Sequence, residues 1–410
     1  MRKAIFLFII LSAFSVCSGD IITVDDDGPA DFNNIQSAID ASQDGDIIIV
    51  QPGYYEGVER SIDSGPAKHR IMDFKGKNIT LTSTNPSNFD VVSSTIIGAT
   101  VMFKGTEEPN CVLTGFKISH NESTGGIVGI DLTQFPYTSP GTRATISNCV
   151  IQKIQRLNSI YLCDGLIQNC VIVDNINISM MPLVPTVSNC HGTIRGCTIA
   201  RNYCDSAIEV GPDSGHLIIE NSIIYGGEQL INVPENCSAS ISFCDIERGT
   251  EGICGAGDVL WGPGNIDVDP CFVEEGYWDA NEGDYHLKSE AGRWDPNTQS
   301  WVTDEVTSWC IDAGNPGCPL ASEPDDSNNL RINMGAFGGT PLASKTPFRW
   351  SLLSDLNNNG IVNFRDFFYQ SNDWLNNGEC MPGDLNRDNI INISDVALFT
   401  YDWLEETIWY

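Results

Sequence analysis

The sequence predicts a mainly β protein: a parallel β-helix, or solenoid, over residues 19–345, followed by a small α-helical module over residues 346–410. Three observations carry this reading. A nine-residue segment recurs five times in mid-chain with isoleucine fixed in two columns. The repeats are short and β-branched, are broken by Asn or Gly, and show no helical period. Beyond about Thr346 the pattern changes and a different segment is duplicated.

The five repeats are TISNCVIQK ending at Lys153, LIQNCVIVD ending at Asp174, TIRGCTIAR ending at Arg201, IIENSIIYG ending at Gly226 and SISFCDIER ending at Arg248. Their central column is Cys149, Cys170, Cys197, Ser222 and Cys244, spaced 21, 27, 25 and 22 residues apart. Two residues later stand Ile151, Ile172, Ile199, Ile224 and Ile246; three residues earlier stand Ile146, Ile167, Ile194, Ile219 and Ile241. A weaker sixth copy places Leu113, Gly115, Phe116 and Ile118 in LTGFKI. Asn148, Asn169, Gly196 and Asn221 precede the central column, and these residues tolerate the left-handed backbone of a bend. Each unit is therefore a strand, a bend and a second strand. A unit this small cannot bury its own apolar face, so it must stack on its neighbours.

The remaining elements follow in chain order. Arg2 and Lys3, the apolar run Ala4–Val16, and Val16 and Ser18 before a cleavage point read as a signal peptide over residues 1–18. Export to the cell surface or medium is the expectation. No later run approaches the length of a membrane span. Asp31 to Ala41 has apolar residues at helical spacing behind capping candidates, which predicts a short helix closing the open end of the solenoid. Asp46–Val50, Ile79–Thr82 and Ser94–Ile97 read as further strands.

Composition narrows the function. The chain has 410 residues, with 54 Asp and Glu against 22 Lys and Arg, a net charge of −32. Nucleic acid, which requires a positive surface, is thereby excluded as a partner. An unaided polyuronate lyase is disfavoured for the same reason, because its anionic substrate would be repelled. Loss of Cys17 with the signal peptide leaves 14 of 15 cysteines. Cys163, Cys190 and Cys237 form a second column seven residues before the first, and cysteine columns in a ladder read as small buried apolar groups. Bridges between neighbouring rungs, or between Cys310 and Cys318, stay open. The column four after the centre holds Lys153, Asp174, Arg201, Gly226 and Arg248; it is either a cleft with an acid and a base or a solvated ladder of ion pairs. Trp261, Trp278, Trp294, Trp301 and Trp309 follow the last rung and read as packing rather than sugar-stacking groups.

The opening ITVDDDGPADFNNIQSAIDASQDGDIIIVQPGYYEG, the NC-[VT]-I rungs and the closing DYHLKSE, CIDAGNPG and INMGAFGG resemble secreted bacterial right-handed β-helix proteins of the pectin-lyase-like superfamily, over roughly residues 20–345. Lyases of that fold use calcium and an Arg or Lys base, and hydrolases use clustered aspartates with His-Gly and Arg-x-Lys. His191-Gly192 is a lone match, and Asp25-Asp26-Asp27 lies before the first predicted rung, so no catalytic residue is carried over.

The C-terminal duplication is SDLNNNGIVNFRDFFYQSNDWL and GDLNRDNIINISDVALFTYDWL, with starts 29 residues apart. Each is a twelve-residue oxygen-rich loop leading into an amphipathic helix. Asp355, Asn357, Asn359, the Ile361 carbonyl, Asn363 and Asp366 fall at positions 1, 3, 5, 7, 9 and 12 of a calcium loop, as do Asp384, Asn386, Asp388, the Ile390 carbonyl, Asn392 and Asp395. Calcium takes six to eight oxygens, so Asp and Asn at alternate positions suit it. Two calcium ions are expected, the first held more weakly because its loop has only two carboxylates. Position 12 is Asp rather than Glu, and no helix leads each loop. In both respects the module resembles type I dockerins. The resemblance implies a cohesin-like protein partner, contacted at Phe364-Arg365 and Ile393-Ser394, and a role near polysaccharides. The whole chain then reads as an exported carbohydrate-associated protein active in polysaccharide catabolism, a glycoside hydrolase or polysaccharide lyase. The alternative is a non-catalytic binding or scaffold β-helix.

Overall fold

Strands of three successive columns stack, coil upon coil, into three parallel sheets. The computed structural model describes residues 19–61, 68–119, 125–133, 140–155, 157–176, 183–211, 214–276, 282–324 and 328–407; the predicted signal peptide and Trp278 lie outside them. The first sheet has ten strands, from Ile21–Val24 to Asp258–Trp261; the second has eight, from Gly53–Tyr55 to Asp245–Ile246; the third has nine, from Val58–Ser61 to Ile253–Cys254. Neighbours are parallel throughout, except that Val58–Ser61 pairs antiparallel with Lys68–Asp73. This is a parallel β-helix.

The isoleucine columns are the registers of these sheets. Ile146, Ile167, Ile194, Ile219 and Ile241 are consecutive partners in the first sheet. Ile151, Ile172, Ile199, Ile224 and Ile246 are consecutive partners in the second. All ten are buried in one core, where each side chain contributes roughly 1.5–3 kcal/mol by leaving water. The third sheet, whose strands the sequence pattern did not separate, adds Ile127, Ile160, Val187, Ile208, Ile231 and Ile253 in register.

The predicted bend is left-handed. Asn148, Asn169, Gly196 and Asn221 have φ of 51°, 50°, 57° and 52°, and Phe243 takes the equivalent place at 51°. The charged column also turns: Lys153, Asp174, Arg201, Gly226 and Arg248 have φ between 55° and 78°. One residue further on, Asn175 and Asn202 stack inside the corner. The Asn175 side chain donates to Asn202 Oδ1 at 2.9 Å and to the Ile151 carbonyl at 3.0 Å, so this buried amide column closes the backbone bonding of the bend.

The first and second sheets are buried differently. In the first, strands such as Thr145–Ser147 and Thr193–Arg195 bury only the central residue. In the second, Val150–Gln152, Val171–Val173 and Thr198–Ala200 are buried at all three positions. The outer face of the second sheet packs a second apolar cluster, in which Val150, Val171 and Ile223 meet Phe272, Tyr285, Leu287, Met334 and Ala336. Sequence records the difference: TIS and TIR alternate, whereas VIV does not.

Helix α1, Ile35–Ala41, forms where predicted; Asn34 caps it by accepting the Ser37 amide at 2.8 Å. It buries Ile35, Ala38 and Ile39 over the solenoid end. A short helix, α2, Phe89–Ser94, precedes the strand Thr95–Ile97 and was not foreseen. Asp25-Asp26-Asp27 follows the first strand of the first sheet, so it sits on a rung rather than before one. Its three carboxylates lie together and are exposed or half-exposed.

Residues 352–407 build two helices, α3 (Phe364–Asn372) and α4 (Ile393–Phe399), around Leu356, Val362, Leu385 and Phe399. The two halves clasp each other: Leu375 N–H donates to the Ile391 carbonyl at 2.9 Å, and Leu404 N–H to the Val362 carbonyl at 2.9 Å.

Candidate metal centres

Positions 1, 3, 5, 9 and 12 of each C-terminal loop point inward through a repeated set of bonds. In the first loop Asp355 accepts the Asn359 amide at 3.1 Å and the Gly360 amide at 2.7 Å. In the second, Asp384 accepts the Asp388 amide at 3.1 Å and the Asn389 amide at 2.7 Å. Asp366 accepts the amides of Asn357 (3.2 Å) and Asn363 (2.9 Å); Asp395 accepts those of Asn386 (3.1 Å) and Asn392 (2.8 Å). The position-3 and position-5 oxygens each accept the amide two residues on. Asn363 and Asn392 cap their helices in reciprocal capping boxes with Asp366 and Asp395. Each helix therefore starts at position 10, inside the loop rather than after it. Glycine at position 6 has φ 80°, and Asn389 takes the same turn at 69°. These bonds tie Asp355, Asn357, Asn359, Asn363 and Asp366 into one loop, and Asp384, Asn386, Asp388, Asn392 and Asp395 into the other, although among the described residues only Asp25, Asp26 and Asp27 bring three carboxylates within 4.8 Å of one another. The Ile361 and Ile390 carbonyls accept from the Asn363 and Asn392 side chains.

The electrostatics of this arrangement are unfavourable without a cation. Asp355, Asp366, Asp384 and Asp395 are all buried. Burial pushes Asp355 up to about 6; the Arg331 guanidinium opposes the rise in part, and nearby Asp366 adds to it. Burial also raises Asp366 and Asp384. Among the described residues none of the four makes an ion pair. Buried carboxylates without a counter-charge are costly. An all-oxygen donor set at alternate positions fits calcium, which would supply that charge.

The module is fastened to the β-helix through these same loops. Position 4 is left-handed in both, at Asn358 (φ 54°) and Arg387 (φ 57°), and both side chains reach the solenoid. Asn358 donates to the Gly264 and Ala313 carbonyls at 2.7 and 2.8 Å. Arg387 donates to the Pro316 and Leu330 carbonyls at 2.9 and 2.6 Å. Arg331, fully buried, donates to the carbonyls of Ala313 (3.1 Å), Gly314 (2.7 Å) and Asp355 (2.8 Å). Its guanidinium also lies 5.7 Å from the Phe243 ring centre. A disulfide joins Cys318 to Cys380. Cys318 therefore does not pair with Cys310, which is buried as a free thiol beside Asp245. Cys163, Cys190 and Cys237 are free and buried too.

The solenoid shows where carboxylates sit relative to solvent. Asp174 is buried; burial pushes it up to about 6, although Tyr285 donates to it at 3.0 Å. The cations of its column pair with the segment that covers the second sheet, not with each other: Lys153 with Glu282 at 3.4 Å and Arg201 with Glu275 at 3.2 Å. Asp245 takes the place of the valines on the outer face of the second sheet, and burial pushes it up to about 7. His191 lies 3.7 Å from Asp164, wedged against Gly211 and Gly215. Trp294 and Trp301 pack edge to face at 5.9 Å. The open outer face of the first sheet carries Thr145, Ser147, Gln168, Thr193, Ser240 and Ser242, with one ion pair, Arg195–Glu220 at 3.0 Å.

Residues 250–314 match the model of a family described as disaggregatase related. No curated protein matches the chain. Among solved structures, pectin methylesterase from Aspergillus niger is 16% identical over 66% of this chain and 92% of its own, with a TM-score of 0.36. Pectin methylesterase from carrot is 15% identical over 65% and 85%, with a TM-score of 0.35. Pectate lyase Pel9A is 11% identical over 79% and 97%, with a TM-score of 0.34. The β-helix itself is established by its own three sheets.

Proposed function

We propose that this chain is an exported, carbohydrate-associated β-helix protein whose C-terminal module, folded around two calcium ions, docks onto a cohesin-like partner. The observation that carries the reading is the bond-for-bond duplication of the two oxygen-rich loops, each ending in a capping box. The resemblance of the duplicated segments to dockerins supplies the partner class and the link to polysaccharides. Phe364 and Ile393, at position 10 of each loop, are 76% and 70% exposed, as a partner-contacting pair requires.

Between a hydrolase or lyase and a binding or scaffold role, the outer face of the first sheet favours the second. Its middle rungs present hydroxyls and an amide, and their carboxylate, Glu220, is held by Arg195, while the last strand adds the exposed Asp258 in register with Ser238 and His216. Asp174 and Asp245, raised acids at the second sheet, are buried against Tyr285 and against Val268 and Cys310 and face no open groove.

The test joins calcium titration to a polysaccharide panel. Isothermal titration of the full chain should show two calcium sites, reversed by chelator. Neutral and acidic polysaccharides should retain the protein yet yield neither new reducing ends nor unsaturated products. Catalytic turnover on any of them would replace the binding reading with an enzymatic one. Absence of calcium binding would remove the docking module.

A further inference from the structure

A cavity of about 500 Å³ lies between the β-helix and the C-terminal module. Its volume is that of small-molecule sites, about 300–1,000 Å³. One wall is the first-sheet rim, with Gln168 and Arg195; the other is the module, with Glu379, Arg387 and Asn389; Ile332 contributes an apolar patch. Neither wall alone encloses the space. Their spacing is fixed by the Cys318–Cys380 disulfide and by Asn315, whose side-chain amide donates to Glu220 at 2.8 Å and to the Cys380 carbonyl at 2.7 Å. The backbone contact is close: a side chain at Gly317 would collide with the Met381 carbonyl.

The lining is less acidic than the molecule as a whole, although its Arg195 is ion-paired to Glu220 at 3.0 Å. The chain carries a net charge of −32, yet two guanidiniums and one exposed carboxylate face this cavity. Arg195 uses Nε on Glu220 and keeps both terminal nitrogens. Arg387 uses two nitrogens on backbone carbonyls and, among the described residues, makes no ion pair. A guanidinium fork matches a planar carboxylate. The Gln168 and Asn389 amides offer donors and acceptors together, as hydroxyl groups require.

We propose that this cavity binds a small sugar acid, its carboxylate between Arg195 and Arg387 and its hydroxyls on Gln168 and Asn389. The ligand class rests on the carbohydrate-associated reading above; the charge preference rests on the cavity alone. Because Arg387 and Asn389 are positions 4 and 6 of the second loop, one wall belongs to a candidate calcium centre.

Ligand-observed NMR and isothermal titration of the full chain in calcium would use D-glucuronate and D-glucose, which differ at one carbon. Glucuronate should bind saturably and about tenfold tighter than glucose, the size of one charge-assisted contact. Arg195→Gln should erase the difference. Glu379→Gln, on an exposed residue, should tighten glucuronate by about fivefold, the scale of an exposed ion-pair effect. Gln168→Trp should block both probes by filling the cavity while leaving the module in place. Equal affinity for the two probes overturns the proposal, as does glucuronate binding that survives Gln168→Trp. If neither probe binds while two calcium sites titrate normally, the cavity proposal falls and the docking reading stands. If calcium fails to bind as well, both fall.

Discussion

Replacing Asp245 with Asn should stabilise the protein at pH 8 and leave its stability nearly unchanged at pH 4. Asp245 occupies the outward column held by Val150, Val171, Thr198 and Ile223 in the preceding rungs. Covered by residues 268–313, it is fully buried, and burial pushes its carboxyl up to about 7. Asp267 and Asp269 add to the rise, while the Val268 amide at 3.1 Å and the Cys310 thiol at 3.3 Å oppose it.

The sign follows from proton counts. The unfolded chain releases this proton near 3.8, the folded chain near 7. Between these values the folded state holds one more proton, so stability falls as pH rises and the full penalty stands above pH 7. A gap of about three pH units at 1.36 kcal/mol each gives roughly 4 kcal/mol as an upper bound. Asparagine keeps an oxygen for Val268 and carries no charge. With about 2.1 cal/mol/K of unfolding entropy per residue, 4 kcal/mol corresponds to a gain of about 5 °C in melting temperature for a chain of this length. Calorimetry of wild type and Asp245→Asn at pH 4, 6 and 8 measures it, with calcium held constant. A variant less stable at pH 8, or a difference independent of pH, would refute the assignment of a buried, desolvated acid.

Three further outcomes are expected. Asp395→Ala should abolish the tighter calcium site and Asp366→Ala the weaker one, because the second loop holds three carboxylates and the first two; titration calorimetry reads each loss separately. Arg331→Met should destabilise by about 3–5 kcal/mol in urea titrations, since it orphans the buried Gly314 carbonyl and takes one of the donors from the Ala313 and Asp355 carbonyls, and it should raise hydrogen exchange across residues 352–407. Ile194→Ala should cost about 2–5 kcal/mol as a cavity in the core ladder, and Asn169→Ala about 1–2 kcal/mol for its left-handed bend, whereas Thr193→Val on the outer face should stay within about 0.5 kcal/mol.

The solenoid was legible because stacking imposes identity. A position that repeats as Ile146, Ile167, Ile194, Ile219 and Ile241 can only be a shared interior column, and the Asn or Gly before the centre marks a bend that few residues tolerate. The third sheet was not legible, because most of its strands are two to four residues long and follow bends of varying length. The charged column misled for a related reason. Lys153, Asp174 and Arg201 alternate in sign, but with Arg248 they are a second left-handed turn, and Glu282 and Glu275, the partners of Lys153 and Arg201, come from a distant segment. The Cys318–Cys380 bridge joins the end of the β-helix domain to the C-terminal module, and no local spacing announces it. The hydrogen bonding of the two loops follows the positions read in the sequence except at position 4: nothing in Asn358 or Arg387 says that it faces another domain.

That last point bears on how the molecule works. The residues that hold the module to the β-helix are Asn358 and Arg387 at position 4, with Cys380. Those through which the proposed partner would be met are Phe364 and Ile393 at position 10, with Tyr401, which is 81% exposed. The two sets do not overlap, so seating on the solenoid leaves the partner face open. The scaffold contacts also share residues with the metal loops, since Arg331 binds the Asp355 carbonyl and Asn358 lies between Asn357 and Asn359. Any ion that orders these loops orders the anchor as well. Calcium would then act on this protein twice, shaping the surface that meets a partner and fixing that surface to the β-helix it carries.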